Sequence, residues 1–220
     1  MYILNIETAT KNCSVSLAKD GETVLCKEID DQGYSHAEKL HVFIEEILQE
    51  TGIAVQELNA IAVSKGPGSY TGLRIGVSAA KGLCYALGIR LISLDTLQVL
   101  AKQIVAESGL ILPMLDARRM EVYSAVYDIN YNIVREVQAE ILTENSFDQF
   151  DRNIFIIGDC QKKCKTVLTK RNFHFINWMM FPSANEMSSM SYEKFLKNDF
   201  EDVAYFEPFY LKDFMVANKG

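Results

Sequence analysis

Hydrophobic residues in the first 30 positions follow a two-residue period, which predicts β-strands. In 13–18, apolar residues alternate with Ser14 and Ser16, so one face of the strand is apolar and the other is polar. Asp20 and Gly21 follow directly, and this dipeptide is typical of a tight β-hairpin. The pattern therefore predicts an antiparallel meander with strands at 1–8, 13–18 and 23–29.

The period then changes to that of an α-helix. The run at 35–38 fits a capping box, in which a serine and a glutamate side chain each bond a free backbone N–H. Apolar residues recur every three or four positions behind it: Leu40, Phe43, Ile44, Ile47 and Leu48. A strand at 60–63, a helix at 71–87, a strand at 91–94 and a helix at 95–107 are predicted next.

Small residues form a ridge along the predicted helix at 71–87. They are four positions apart and therefore share one helical face: Gly72, Gly76, Ala80 and Cys84. Glycine inside a helix costs roughly 1 kcal/mol relative to alanine. We therefore expect another backbone to approach this ridge closely.

The strand pattern restarts after Gly109. Strands are predicted at 110–115, 122–127 and 133–137, followed by a strand at 154–157, a short helix near 162–168, a strand at 173–176 and a helix after Pro182. Glu7 ends the first strand of the first half, and Asp116 follows the equivalent strand of the second half. The sequence thus predicts an α/β protein with two packed lobes, residues 1–108 and 109–220.

Composition and charge exclude several classes of protein. The 220 residues are 49% hydrophobic and 23% charged, which suits a buried core, and no apolar run reaches the roughly 18 residues of a membrane span. Five cysteines without framework spacing and a polar start predict the reducing cytoplasm. A formal charge of −7 argues against a stand-alone nucleic-acid binder, because such proteins neutralise phosphates.

Two turns carry candidate chemistry. The loop 66–72 fits neither a P-loop nor the G-x-G-x-x-G pattern, so it is either an anion site at a helix N-terminus or a turn shaped for helix packing. Glu7, Thr8 and Thr10 place a carboxylate and two hydroxyls at a strand end, which suits phosphate and Mg²⁺ but also an ordinary β-turn. Both alternatives stay open.

Metal binding and catalysis have weak support. His36 and His41 are five positions apart and do not share a helical face, and Cys160 with Cys164 forms a single pair, a weak zinc signal. The remaining histidine, His174, lies in an alternating strand pattern. The sequence therefore predicts no metal site and no catalytic residue.

A long motif resembles a known family. Residues 65–76 read KGPGSYTGLRIG, which resembles the GPGSFTGLRIG signature of the bacterial TsaB (YeaZ) family. Three further stretches agree in order: 3–10 (ILNIETAT), 115–123 (LDARRMEVY) and 208–212 (PFYLK). The chain departs from the family pattern with Glu7 for Asp, Tyr70 for Phe, Met120 for Gly and Lys212 for Arg.

The resemblance implies a fold and a function. The fold is the sugar kinase/Hsp70/actin-like (ASKHA) fold, with two ribonuclease-H-like lobes. The function is that of a non-catalytic partner of TsaD in making N6-threonylcarbamoyladenosine (t6A), beside the anticodon of tRNAs that read codons beginning with A. TsaE, an ATPase, is a further implied partner, and tRNA is reached only through the complex. The alternatives are a small-molecule kinase or ATPase of the same superfamily and, less favoured, an M22-type glycoprotease.

The resemblance also implies sites. In the family, the helices at 35–50 and 71–87 bind TsaD or a second copy of TsaB, so we expect Gly76→Leu to block partner binding and spare the fold. The implied interface residues are Leu40, Phe43, Ile44, Ile47, Gly72, Gly76, Ala80 and Cys84. No cofactor is required, but ATP or ADP with Mg²⁺ is expected at the interface with TsaD. The candidate nucleotide or anion residues are Glu7, Thr8, Thr10, Gly66, Gly68, Ser69 and Asp116.

Overall fold

The fold is described from a computed structural model, which covers residues 1–30 and 36–212. The first of its sheets has five strands. The strands are β1 (Tyr2–Glu7), β2 (Cys13–Lys19), β3 (Glu22–Ile29), β4 (Leu58–Gly66) and β5 (Arg90–Asp95). Their order in the sheet is β3-β2-β1-β4-β5. The first three strands are antiparallel, as the meander predicted, and β4 and β5 run parallel to β1.

The second sheet repeats this topology. Its strands are β6 (Leu110–Asp116), β7 (Glu121–Asp128), β8 (Ile133–Ile141), β9 (Ile154–Ile157) and β10 (Phe173–Phe175). The order β10-β9-β6-β7-β8 is the first sheet's order read from the other end, with β6, β7 and β8 antiparallel and β9 and β10 parallel to β6. The predicted internal repeat is confirmed.

Five helices connect and cover the sheets in the described part of the chain. They are α1 (His36–Thr51), α2 (Tyr70–Leu87), α3 (Thr96–Ala101), α4 (Gln161–Cys164) and α5 (Met187–Leu196), with a 3₁₀ turn at Val55–Glu57. The prediction of a helix at 95–107 is wrong in length, because the chain turns after Ala101 and the Tyr131 hydroxyl bonds the Ile104 carbonyl at 2.9 Å. The predicted capping box starts at Ser35, which lies outside the described residues.

Both faces of the first sheet are buried. The helices α1 and α2 cover one face, and α5 with the segment before it covers the other. Ser14 and Ser16, on the polar face of β2, bond the backbone of Ala184: the Ala184 N–H donates to Ser14 Oγ (2.9 Å), and Ser16 Oγ donates to the Ala184 carbonyl (2.7 Å). The predicted division at residue 109 falls between the sheets, but residues 184–206 pack on the first one.

The helix α3 joins the two lobes. Val99 packs with apolar residues of the first sheet, whereas Leu97 and Leu100 pack with Ile111 and Tyr127 of the second. All of these side chains are buried, so the sheets share a continuous apolar contact. In the described part of the chain, no helix combines the length and the apolarity that crossing a bilayer requires.

Candidate functional site

Glu7 closes the corner at the end of β1. Its carboxylate accepts a hydrogen bond from the Ala9 N–H at 2.6 Å and another from the Ser64 hydroxyl, and the side chain is fully buried. Burial raises the pKa of this carboxyl to about 7, although both hydrogen bonds act to lower it. The group therefore holds the turn and the neighbouring strand together, with both carboxylate oxygens already bonded within the chain.

The glycine loop packs directly onto this corner. The Ser69 N–H donates to the Ala9 carbonyl at 2.6 Å, and the Thr8 hydroxyl donates to the Gly72 carbonyl at 2.8 Å. A Cβ on Gly68 would lie 2.3 Å from the Ala9 oxygen, and one on Gly72 would lie 2.0 Å from the Thr8 oxygen. Because only glycine allows this approach, the contacts favour the packing interpretation of the loop.

The start of the same loop is fixed by the C-terminal segment. Gly66 has a φ of +118°, its N–H donates to Thr96 Oγ1 at 3.1 Å, and a Cβ there would lie 2.6 Å from the Phe209 oxygen. Thr10 is buried, and its hydroxyl has no hydrogen-bond partner among residues 1–30 and 36–212. The structure thus gathers the first-lobe candidate residues at one corner: Glu7, Thr8, Thr10, Gly66, Gly68 and Ser69.

The ridge of small residues faces the chain's own sheet. A Cβ on Gly76 would lie 2.2 Å from Thr8 Oγ1, and Ala80 and Cys84 are buried. Helical spacing predicted correctly that a backbone approaches the ridge, but it does not identify which backbone. Seven of the eight residues predicted for the partner surface are buried in the lobe's own core, and their role at an interface stays a prediction: Leu40, Ile44, Ile47, Gly72, Gly76, Ala80 and Cys84.

A different face of α2 is open to solvent, and we call it the outer face of α2. It is formed by Ser78, Gly82 and Tyr85, which are exposed, with half-buried Ile75 and Ala79 at its edge. Tyr85 is 86% exposed, and a Cβ on Gly82 would lie more than 4 Å from every atom of residues 1–30 and 36–212 outside its own surroundings in the helix. Phe43, the remaining predicted interface residue, is partly buried against the same core. The spacing of small residues four positions apart did not select Gly82, because this glycine lies on a different face of the helix.

The equivalent corner of the second lobe is held by a lysine. Asp116 is exposed at the end of β6, where its Oδ1 accepts hydrogen bonds from Lys163 Nζ (2.6 Å) and the Arg118 N–H (2.7 Å). Lys163 Nζ also donates to the Arg119 carbonyl at 2.9 Å and to the Glu121 carbonyl at 2.6 Å. The ammonium group thus binds three oxygens and fixes the loop from 116 to 121, a role that the sequence pattern did not reveal.

An electrostatic effect links Asp159, at the second corner, to the first lobe. Asp159 Oδ1 accepts from the Asp116 N–H at 2.8 Å, and burial raises the pKa of Asp159, whereas the positive charge of nearby Lys11 lowers it. Lys11 directly follows the Glu7 corner. Among the described residues, no hydrogen bond or ion pair joins Asp116 to Glu7 or its turn.

The cysteine pair is packed inside the second lobe. Cys160 Sγ and Cys164 Sγ are 3.5 Å apart, and both are buried beside Met114. His174 is exposed, and its Nε2 lies 3.2 Å from Asn153 Oδ1. Within 1–30 and 36–212, no three or more His, Cys, Asp or Glu residues come together in a way that suits a metal ion.

Comparison with known proteins decides the family. A family model described as "TsaD: tRNA N6-adenosine threonylcarbamoyltransferase" matches residues 29–213. The chain belongs to this family. The Escherichia coli K12 "tRNA threonylcarbamoyladenosine biosynthesis protein TsaB" is 29% identical over 97% of this chain and 95% of its own length. Its Bacillus subtilis counterpart is 35% identical over 62% of this chain and 59% of its own length.

A solved structure of the same group shows the fold. "YeaZ from Pseudomonas aeruginosa" has a TM-score of 0.85 and 23% identity, and the match covers 96% of this chain and 99% of that one. The resemblance to the TsaB (YeaZ) family, which the motif at 65–76 carried, is therefore confirmed. The predicted fold, two lobes of the ASKHA type, is confirmed as well.

Proposed function

We propose that this chain is a non-catalytic partner of a TsaD transferase in forming t6A on tRNA. A relative that matches nearly the whole chain is named as a t6A biosynthesis protein, which supports the pathway. The closed Glu7 corner supports the non-catalytic role. There the Glu7 carboxylate is buried and bonded to Ser64 and Ala9, and the glycine loop packs against the turn.

The outer face of α2 is the proposed contact with TsaD. A glycine within a helix costs roughly 1 kcal/mol, and nothing in the described part of the chain requires one at position 82. Its presence beside the exposed Tyr85 ring suits a partner whose backbone approaches closely, with the aromatic side chain covered on binding. A second copy of the chain would bind the free protein through the same face.

Further components belong to the same proposal. TsaE joins the complex, tRNA meets the chain within that complex, and the assembly works in the cytoplasm. The chain itself requires no cofactor, and ATP or ADP with Mg²⁺ is held at the interface with TsaD. The experiment below tests the contact with TsaD, and ATP with Mg²⁺ is added separately so that the effect of nucleotide is measured on its own.

Light scattering after gel filtration tests the contact. The chain, mixed with the TsaD protein of the same organism, should form a one-to-one complex. Gly82→Ala should bind as well as the wild type, whereas Gly82→Leu should lose at least tenfold in affinity without any fall in its unfolding temperature. Both variants place a side chain into open space, so they differ only in how far the partner is pushed away.

Each result that contradicts the proposal rejects a different part of it. Wild-type binding by Gly82→Leu would show that the outer face of α2 is not the interface. Failure of the wild-type chain to bind TsaD, with and without ATP and Mg²⁺, would refute the partner role. Turnover of ATP by the isolated chain would then favour the kinase alternative.

A further inference from the structure

Three sulfur atoms meet inside the second lobe, and the partner role leaves them unexplained. Cys160 and Cys164 stand at the two ends of α4, and Met114 lies on β6. Cys164 Sγ is 3.5 Å from Cys160 Sγ and 3.9 Å from Met114 Sδ. The exposed fraction of each of the three residues is 2% or less. Two thiols and a thioether therefore form one buried group, which we call the sulfur cluster.

The geometry of the sulfur cluster suits one metal ion with three ligands. Sulfur atoms bonded at about 2.3 Å to an ion in their plane lie about 4.0 Å from one another. The two separations measured at Cys164 differ from this value by about 0.5 Å or less. The cysteines are four positions apart and share one helical face, on which β6 places the third sulfur. Small side-chain movements are therefore enough to bring Cys164 and its two sulfur neighbours onto one ion.

The donor atoms select copper(I) over zinc. Zinc takes four ligands in a tetrahedron, and within 1–30 and 36–212 no group of three or more His, Cys, Asp or Glu residues suits a metal ion. Thiolates and a thioether are soft ligands, and this set favours copper(I), which binds two or three of them. Leu168 and Phe173 pack in the same core, so water and hard oxygen ligands are kept away from the ion.

The sulfur cluster can be reached from the surface. Asp159 and Gln161, the two neighbours of Cys160 in the chain, both line a surface cavity of about 250 Å³. The helix α4 is a single turn of four residues, and a single helical turn is not stable by itself. Local opening of α4 therefore exposes both thiols to an incoming ion.

Lys163 offsets part of the charge that the bound form would carry. Both thiols release their protons to the solvent on binding, so two thiolates with one copper(I) ion keep one negative charge. A hydrogen bond with Cys164 and burial raise the pKa of Cys160, whereas the positive charge of Lys163 lowers it. The ammonium group therefore acts on the cluster from the same helix.

We propose that Met114, Cys160 and Cys164 bind one copper(I) ion in the core of the second lobe. The ion would join α4 to β6, and Lys163, which lies between the two cysteines, holds the loop from 116 to 121. Copper would thereby make the second corner more rigid. The sequence predicted no metal site, because cysteine spacing does not show the sulfur that lies 46 residues before Cys160. The inference does not depend on the proposed function.

An anaerobic titration of the full chain with copper(I) tests the site. Bicinchoninate, which forms a coloured copper(I) complex, competes for the ion, and the chain should withdraw one ion from it. Cys164→Ser should lose roughly a hundredfold or more in affinity. Met114→Leu, which keeps an apolar side chain of similar volume, should lose at least tenfold. Cys26→Ser is the matched control, because Cys26 lies in the first lobe beside Ser183, and should bind as the wild type does.

Alkylation of the cysteines gives a second readout, which needs no variant. Iodoacetamide labels free thiols, and mass spectrometry locates the labelled residues. One equivalent of copper(I) should slow the labelling of Cys160 and Cys164 at least tenfold and leave the labelling of Cys26 unchanged. This comparison decides the site even where Cys164→Ser fails to fold.

Several results would overturn the site. These are wild-type affinity in Met114→Leu or Cys164→Ser, an equal loss in Cys26→Ser, or labelling of Cys160 and Cys164 that copper(I) leaves unchanged. Protection of the same two thiols by zinc(II) but not by copper(I) would also contradict it. TsaD is absent from these measurements, so their failure leaves the proposed function unaffected.

Discussion

The two lobes end their first strands in equivalent places, yet the two ends differ in chemistry. Glu7, at the end of β1, is fully buried and bonded to Ser64 and Ala9. Asp116, at the end of β6, is exposed and held by Lys163. Glycine backbone covers the first corner, whereas charged side chains and a cavity surround the second.

Equivalent positions of the two sheets should therefore have different roles, although the sheets share one topology. At the first corner, the Glu7 carboxylate, the Thr8 hydroxyl and the Ser69 N–H are bonded to the chain itself, so changes there should act on folding. At the second corner the ion pair of Asp116 with Lys163 lies near the surface and holds the loop from 116 to 121, so changes there should act on that loop. A fold alone does not determine what a corner does, because the groups that line it decide.

The largest effect is expected at Gly72. Gly72→Ala places a Cβ 2.0 Å from the Thr8 carbonyl oxygen, and relieving that clash requires backbone movement. We expect the free energy of unfolding to fall by about 3 kcal/mol or more. The matched Gly82→Ala, in the same helix with open space around it, should raise it by up to about 1 kcal/mol. Urea denaturation measures both, and equal effects would contradict the assignment of buried and open glycines.

Gly76→Leu belongs to the same comparison. The sequence pattern predicts that this change blocks a partner and spares the fold. In the structure, however, the Thr8 hydroxyl would lie 2.2 Å from the new Cβ. It should therefore destabilise the first lobe before it affects any partner. Gly82→Leu is the variant that separates binding from folding.

A pH effect is expected at Glu7. Its pKa is about 7 in the folded chain against 4.5 in the unfolded one, so the folded state binds the proton more tightly. The contribution of Glu7 to stability is therefore fully present below about pH 4.5 and is lost as the pH rises through 7, by about 3 kcal/mol. Glu7→Gln should remove this part of the pH dependence. Identical pH profiles of unfolding for the variant and the wild type would contradict it.

A smaller effect is expected at Lys163. Lys163→Met removes the ammonium that Asp116, Arg119 and Glu121 share, and should lower the free energy of unfolding by about 1–2 kcal/mol. Lys162→Met, at the neighbouring lysine without a described partner, should change it by less than about 0.5 kcal/mol. Thermal denaturation of both variants checks this, and equal losses would show that the second corner does not depend on Lys163.

Most of the fold was predictable because short-range patterns in the sequence determine most of its helices and strands. The alternation of apolar and polar residues predicted β2, and the helical spacing of apolar residues predicted α1. The restart of the strand pattern after Gly109 predicted the second sheet. The position of α5 was not predictable, because its apolar face carries no mark that selects the first sheet over the second. Ser14 and Ser16 gave an indirect signal, since a polar strand face can be buried only when another segment bonds it.

The site was less predictable because its contacts are long-range. The ridge predicted a close backbone, but the backbone is that of Thr8, 64 residues before Gly72. No sequence pattern singled out Gly82, and its exposure follows only from the way α2 packs on the sheet.

The formation of t6A in a reconstituted reaction is the most direct test of the proposed role. The TsaD protein of the same organism, TsaE, threonylcarbamoyl-adenylate and tRNA are combined with and without this chain, and the modified nucleoside is measured by mass spectrometry. A non-catalytic partner predicts t6A only when the chain is present, little t6A with Gly82→Leu, and none from the chain without TsaD. Equal t6A formation in its absence, or transfer by the chain alone, would contradict that role.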